Sequence, residues 1–290
     1  MRVHKNFNSH LPVGIRQRIY KTMRRIKSFR DSDFITRDLY YPSTHLLGKE
    51  GKLLRPALLF LGAQSIGSRE DFTDLAAAIE LLHVSSLIHD DIIDNSRTRR
   101  GAKSVNTKYG NSTALLAGNA LISKAIQLSA KYGERVMMEV SDTALQMCAG
   151  ELMDYNANGS GALGLSRCLS IARLKTAALI GTSCGIVATY KGSKARAALY
   201  DCGVNIGMAF QIRDDILDIL EDGKADRKGP HGANIVTALQ KTEGLDDMEA
   251  LRRAAKLNSS YVSKALSSVR GNRMERLIRP YAGMMEVQVG

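Results

Sequence analysis

Between Pro56 and Pro230 the chain contains no proline, so the residue that most reliably ends or kinks a helix is missing from the middle of the sequence. Long helices are therefore permitted. The segment from Leu75 to Ile93 (LAAAIELLHVSSLIHDDII) uses that freedom: it is apolar on most sides and free of glycine, the mark of a buried helix rather than a surface one. Comparable runs lie at 114–128, 136–153, 165–189, 195–220 and 248–269, with turn-like clusters at 156–164 and 222–232 between some of them. No period-two alternation stands out, so no sheet is expected to organise the fold. The expectation is an all-α fold: a single helical domain over residues 1–290, of about ten helices, packed as a bundle around a central cavity.

The 41 basic and 29 acidic residues give a net charge of +12, which draws anions of every kind without choosing among nucleic acid, acidic lipid and phosphorylated substrates. Part of that charge sits in the run Arg16–Lys27, where Ile15, Ile19, Met23 and Ile26 recur at helical spacing. A solvated helix with one buried stripe accounts for this better than a specific lipid or nucleic-acid site. Cys148, Cys168, Cys184 and Cys202 form no CxxC pair, so neither a zinc site nor a disulfide framework is expected. No apolar stretch approaches a bilayer span and the N-terminus lacks the apolar core of a signal peptide, so the chain reads as soluble and cytoplasmic.

One motif occurs twice: His89-Asp90-Asp91-Ile92-Ile93-Asp94, and again Arg213-Asp214-Asp215-Ile216-Leu217-Asp218. On a helix the first and fifth residues of DDxxD lie one turn apart and about 40° around the axis, so Asp90 faces the same way as Asp94, and Asp214 the same way as Asp218. Like charges at that spacing repel, and a cation offsets the repulsion. Oxygen ligands without His or Cys select hard ions, and Mg²⁺ characteristically takes one or two carboxylates plus phosphate oxygens and water. A single DDxxD is ordinary acidic surface. Two copies inside otherwise apolar helices are not, and two such clusters facing each other would grip one diphosphate through several Mg²⁺ ions.

With these motifs the chain, from about Gly51 to Asp218, resembles the trans-isoprenyl diphosphate synthase family, which includes the farnesyl and geranylgeranyl diphosphate synthases. The resemblance implies the isoprenoid synthase type of bundle, mostly antiparallel helices around a deep cavity, usually a homodimer. It also implies a reaction in which an allylic diphosphate is lengthened by isopentenyl diphosphate with Mg²⁺, three ions with substrate bound. Asp90, Asp94, Asp214 and Asp218 then hold metal, with Asp90, Asp94 and Asp214 carrying catalysis together with Lys175 and Gln211. Gly51-Lys52-Leu53-Leu54-Arg55-Pro56 looks like the family's GKxxRP segment, and Asp94 to Gly101 is similar to its DxxxxRRG. By that likeness Lys52, Arg55, His83 and Arg100 bind isopentenyl diphosphate, Arg99 binds the allylic diphosphate, and Lys175, Thr176 and Gln211 hold the allylic diphosphate and its cation. The sequence departs from the family pattern at Ala102-Lys103-Ser104, at Gly118-Asn119 and over Lys228 to Leu239, where Asn234 replaces an Asp and a second lysine has no counterpart.

The growing chain should run from Asp90 toward the N-terminal end of its helix. Bulky aromatics at the fourth and fifth positions before the cluster stop elongation at C15 in the family, and here Ser85 and Ser86 stand there. Leu81 or Leu82 is the next floor, which implies C20 to C25 products, with Ser85→Phe shortening them. A class I terpene cyclase and a non-catalytic subunit of a heteromeric synthase are the competing readings. No specific nucleic acid is expected as partner, and product release leaves room for a peripheral membrane contact.

Overall fold

The computed structural model describes residues 11–47, 49, 51, 53–157, 163–222, 233–287 and 289. The chain forms two compact units, the first of Met1–Ala144 with Ile186–Ser193, the second of Leu145–Gly185 with Lys194–Gly290. The architecture is all-α.

The first unit contains α1 (Val13–Lys27), α2 (Arg37–Thr44), α3 (Leu54–Ser65), α4 (Thr73–Ile93), α5 (Val105–Tyr109), α6 (Asn111–Ser129) and the start of α7 (Glu134–Ala157). Helix α4 lies against α6, α1 and α3. Its run Leu75, Ala76, Ala77, Ala78 and Ile79 is fully buried, because small alanines let neighbouring backbones approach on several sides at once. On α1 the buried stripe is Ile15, Ile19, Thr22 and Ile26. Thr22 takes an inward position by donating its hydroxyl to the Arg18 carbonyl at 3.0 Å, and Met23 is left half-buried. Part of the basic run is paired: Lys21 with Asp71 at 2.6 Å and Arg25 with Asp74 at 2.7 Å.

The second unit holds α8 (Leu165–Ala172), a π-helical turn (Arg173–Ala177), most of α9 (Ala178–Tyr190), α10 (Arg196–Asp222), α11 (Ile235–Glu243), α12 (Asp247–Ser268) and α13 (Arg273–Ala282). Helix α10 packs on α12, α11, α8 and the π turn. Ile212, Ile216, Val236, Leu239, Leu251 and Ala254 form the shared core. The buried Asn258 amide on α12 donates to the Ala209 carbonyl on α10 at 2.7 Å, which fixes the sliding register of the pair.

The apolar runs correspond to α4, α6, α7, α8 to α9, α10 and α12, each within a few residues. As expected, no sheet organises the described residues, and the one departure from the sequence expectation is an apolar span. A minimal antiparallel hairpin joins β1 (Thr98–Arg99) to β2 (Ala102–Lys103). The continuous helix Leu165–Tyr190 is long and apolar enough to cross a membrane, although 78% of its most apolar window is buried inside the protein.

Candidate active site

In the first unit, α4 carries the first acidic motif to its C-terminal end. Asp90 is half-buried, and Asp94 is exposed at the C-cap, where its amide donates to the Asp90 carbonyl at 2.8 Å. That bond preserves the helical turn and keeps the two carboxylates on one side. Asp91, about 100° around the axis, turns inward and is fully buried. Its Oδ1 accepts from Arg99 Nε at 2.8 Å and Nη2 at 2.5 Å, and its Oδ2 is buried without a partner. Burial pushes the Asp91 carboxyl up and Arg99 opposes the shift. Arg99, expected on the allylic diphosphate, is thus held by the middle aspartate of the motif.

The hairpin that follows separates the two arginines. Its two-residue turn is Arg100-Gly101, with φ of 51° and 71°, the positive pair that a type I′ turn demands. Arg99 stays on β1 beside Asp91, and the Arg100 guanidinium comes to rest on Gly51, where a side chain would meet its Cζ at 3.1 Å. Arg100 Nη2 also lies 3.4 Å from Oε1 of the buried Glu80. Leu53, at φ 47°, forms the entry to α3 and so places Arg55 at its start. Burial lowers the Arg55 pKa to about 10, with Glu80 countering and Arg100 adding to the shift, and its Nε is buried without a partner. His83 is held well below the usual imidazole range by burial and by Arg55, Arg100 and Arg99. Three of the four residues expected at isopentenyl diphosphate therefore form one electrostatic cluster, and Lys52 lies outside the described residues.

In the second unit, the π turn presents Lys175 and Thr176. It fits only because Gly150 of α7 meets the Lys175 amide and Gly207 of α10 meets the Ala177 Cα, where an added Cβ would come within 2.5 Å. Lys175 Nζ is clamped by Glu151 at 2.8 Å and Asp154 at 2.7 Å. The Thr176 hydroxyl donates to Gln211 Oε1 at 2.7 Å, and Gln211 Nε2 donates to Asp215 Oδ1 at 2.9 Å. The other Asp215 oxygen accepts the Ile235 amide at 2.8 Å, and Asp154 accepts the Ala233 amide at 2.7 Å. Asn234, which departs from the family pattern, caps α11 by accepting from Val236 and Thr237. Burial raises the Asp215 carboxyl to about 7 against the Ile235 and Gln211 hydrogen bonds. Lys175, Thr176, Gln211, Asp215 and Asp218 line one cavity of about 150 Å³. Asp214 is partly exposed, 3.6 Å from Arg213.

Residues 36–242 match the family model described as polyprenyl synthetase, which is more than half of the chain. The chain belongs to the polyprenyl synthetase family. It is 34% identical over 255 residues to the short chain isoprenyl diphosphate synthase of Methanothermobacter thermautotrophicus, covering 85% of this chain and 76% of that one. It is 36% identical over 200 residues to the geranylfarnesyl diphosphate synthase of Aeropyrum pernix, covering 64% of this chain and 63% of that one. The solved geranylgeranyl pyrophosphate synthetase of the archaeon Geoglobus acetivorans superimposes with a TM-score of 0.81 at 25% identity, over 94% of this chain and 99% of that one. Polyprenyl synthetases are trans-prenyltransferases that condense isopentenyl diphosphate with allylic diphosphates.

For a polyprenyl synthetase the four residues expected to set product length are differently placed. Leu81 and Leu82 are buried on α4. Ser85 is 1% exposed and donates to the Gly118 carbonyl of α6 at 2.9 Å, so a larger side chain there meets α6 first. Ser86 is half-buried, with its hydroxyl on the His83 carbonyl. A larger side chain therefore meets less packing resistance at Ser86 than at Ser85. Ser86→Phe should shift the longest product down by one or more isoprene units with little loss of stability, whereas Ser85→Phe should unfold at lower denaturant concentration, by about 1–3 kcal/mol of overpacking. Product chromatography and urea titration read the two outcomes.

Among the described residues no three His, Cys, Asp or Glu side chains gather as a ready-made metal cage. Paired carboxylates fit Mg²⁺, which uses one or two protein oxygens and completes its shell from phosphate and water. Asp91, Asp215, Glu80, Glu151 and Asp154 are site residues that the sequence does not single out. The first two sit inside the motifs, and their inward direction was legible from the helical period. The other three carry no motif, and their partners are remote in sequence.

Proposed function

We propose that the chain is a Mg²⁺-dependent prenyl diphosphate synthase that elongates a C5 to C15 allylic diphosphate with isopentenyl diphosphate to C20 or C25. The observation that carries this is the presence of two separate groups of candidate diphosphate ligands, Arg55 with Arg100 and His83 in the first unit and Lys175 with Thr176 and Gln211 in the second. A terpene cyclase ionises one diphosphate and has no use for a second anion site. Both acidic motifs are complete, which argues against a non-catalytic subunit. The family match runs across both units, and we take them to act as one catalytic domain.

Arg55 and Arg100 bind the diphosphate of isopentenyl diphosphate, with His83 as a neutral hydrogen-bonding group beside them. Lys175 exchanges its carboxylate partners for the allylic diphosphate. The allylic C–O bond breaks with its electron pair leaving on diphosphate, and the isopentenyl double bond attacks the cation. A proton then passes to the departing diphosphate. Thr176 and Gln211, linked to each other by a hydrogen bond, would lie beside the cation and stabilise it through their oxygens. Asp90, Asp94, Asp214 and Asp218 would hold the magnesium, three ions with substrate bound, which when present neutralises the leaving diphosphate as a Lewis acid.

A cytoplasmic homodimer is the proposed assembly, with product release as the step that brings it to a membrane surface. Leu115 and Leu116 on α6 are 50% and 58% exposed, and Leu145 and Leu152, one heptad apart on α7, are 69% and 59% exposed. Leucines this exposed at helical spacing mark a candidate partner surface. Leu145→Glu with Leu152→Glu should convert a dimer to a monomer in analytical ultracentrifugation, and an unchanged sedimentation coefficient would remove this assembly. The function itself is tested by incubating the protein with Mg²⁺, labelled isopentenyl diphosphate and C5, C10 or C15 primers. Absence of elongated product with every primer refutes it.

A further inference from the structure

Glu80 belongs to neither acidic motif, yet it is 4% exposed, a burial that a carboxylate tolerates only beside compensating charge. The compensating groups are Arg100, whose Nη2 is 3.4 Å from its Oε1, and Arg55, which couples to it electrostatically. Three further features concern the same place. Leu53 and Arg100, both non-glycine residues with positive φ, deliver the two arginines. Such backbone strain persists only where surroundings hold it in place, and it concentrates at functional sites. Gly51 is bare beneath the Arg100 guanidinium. Arg55 Nε is buried with no hydrogen-bond partner, an unpaired donor in the same cluster.

We propose that Glu80 is a positioning residue for the isopentenyl diphosphate site, its carboxylate anchoring Arg100 so that the remaining guanidinium donors converge with Arg55 on an incoming diphosphate. This rests on the reading of Arg55, His83 and Arg100 as that site. Glu80 and His83 are three residues apart on α4, so one helix face carries both the anchor and a neutral ligand-facing group. The 3.4 Å separation from Arg100 is longer than a tight fork. One carboxylate against two guanidiniums leaves the cluster with a net positive charge, still favourable to an anion.

The sign of the effect of neutralising Glu80 decides the matter. By charge alone, Glu80→Gln raises the cluster of Arg55, Arg100 and Glu80 by one unit and should tighten binding of a diphosphate. By positioning, it releases the Arg100 guanidinium and should weaken binding. Calorimetric titration of the full-length protein with isopentenyl diphosphate should give about tenfold weaker binding for Glu80→Gln, partial recovery in Glu80→Asp, and unchanged binding of a non-reactive allylic thiodiphosphate. Glu80→Gln combined with Arg100→Ala should bind no more weakly than Arg100→Ala alone. Unchanged or tighter binding by Glu80→Gln overturns the proposal and leaves the function standing. Equal weakening toward both ligands with a lowered melting temperature in both Glu80 variants also overturns it, as packing alone. Wild-type protein that binds no isopentenyl diphosphate removes the function, and this role with it.

Discussion

Asp90→Asn combined with Asp94→Asn is expected to lower kcat about a thousandfold while the protein stays folded. Metal neutralisation of a leaving diphosphate is worth several kcal/mol at the transition state, and each 1.36 kcal/mol is about tenfold in rate. The fold should tolerate the change because Asp94 is exposed at a helix end and Asp90 is only half-buried. Removing two like charges one turn apart relieves a small repulsion. Asp91→Asn tests the division of labour within the motif. It strips the charge from a buried partner of Arg99, and its effect should appear in the KM for the allylic substrate and in stability. Steady-state rates over a Mg²⁺ titration, paired with urea unfolding, separate the cases. Wild-type protein in excess chelator should be as slow as the double variant. A double variant within tenfold of wild type would show that these carboxylates do not hold the catalytic ions.

What the sequence disclosed follows the range over which its physics acts. Helix α4 was legible because burial on all sides writes itself into consecutive residues, and the pairs Asp90 with Asp94 and Asp214 with Asp218 follow from the helical period alone. The short helix α11 and the strained start of α3 were not legible: α11 has nine residues and takes its position from Asp215 and Asn234, and α3 begins at a left-handed leucine. The motif RRG suggested two phosphate ligands. Only the positive φ of Arg100 and Gly101 shows that a turn sends one arginine to Asp91 and the other to Glu80. Lys175 was named from a two-residue likeness, but its clamp by Asp154, and the tie from Asp154 to Ala233, join residues 21 and 79 positions apart. No local pattern encodes such pairings.

Asp215→Asn should abolish much of the pH dependence of stability expected of the metal-free protein between about pH 4 and pH 7. The buried Asp215 carboxyl is raised from 3.8 to about 7, chiefly by burial. Between those values the folded state keeps a proton that the unfolded state has released. The stabilisation is therefore complete below about pH 4 and is lost as pH rises through 7. From pH 5 to pH 8 the wild type should lose about 3 kcal/mol through this group, at 1.36 kcal/mol per unit. Asparagine has no charge to bury and removes that slope. It also has one acceptor where Asp215 uses two, so the Gln211 amide must flip to take up the new donor, and the Thr176 hydroxyl must then accept rather than donate. That reversal adds a pH-independent penalty and should raise the KM for the allylic substrate. Urea midpoints in chelator at pH 5, 6, 7 and 8 check the slope. Parallel curves for variant and wild type would mean that Asp215 is ionised throughout, and that the network from Thr176 to α11 is held by a charge rather than by a shared proton.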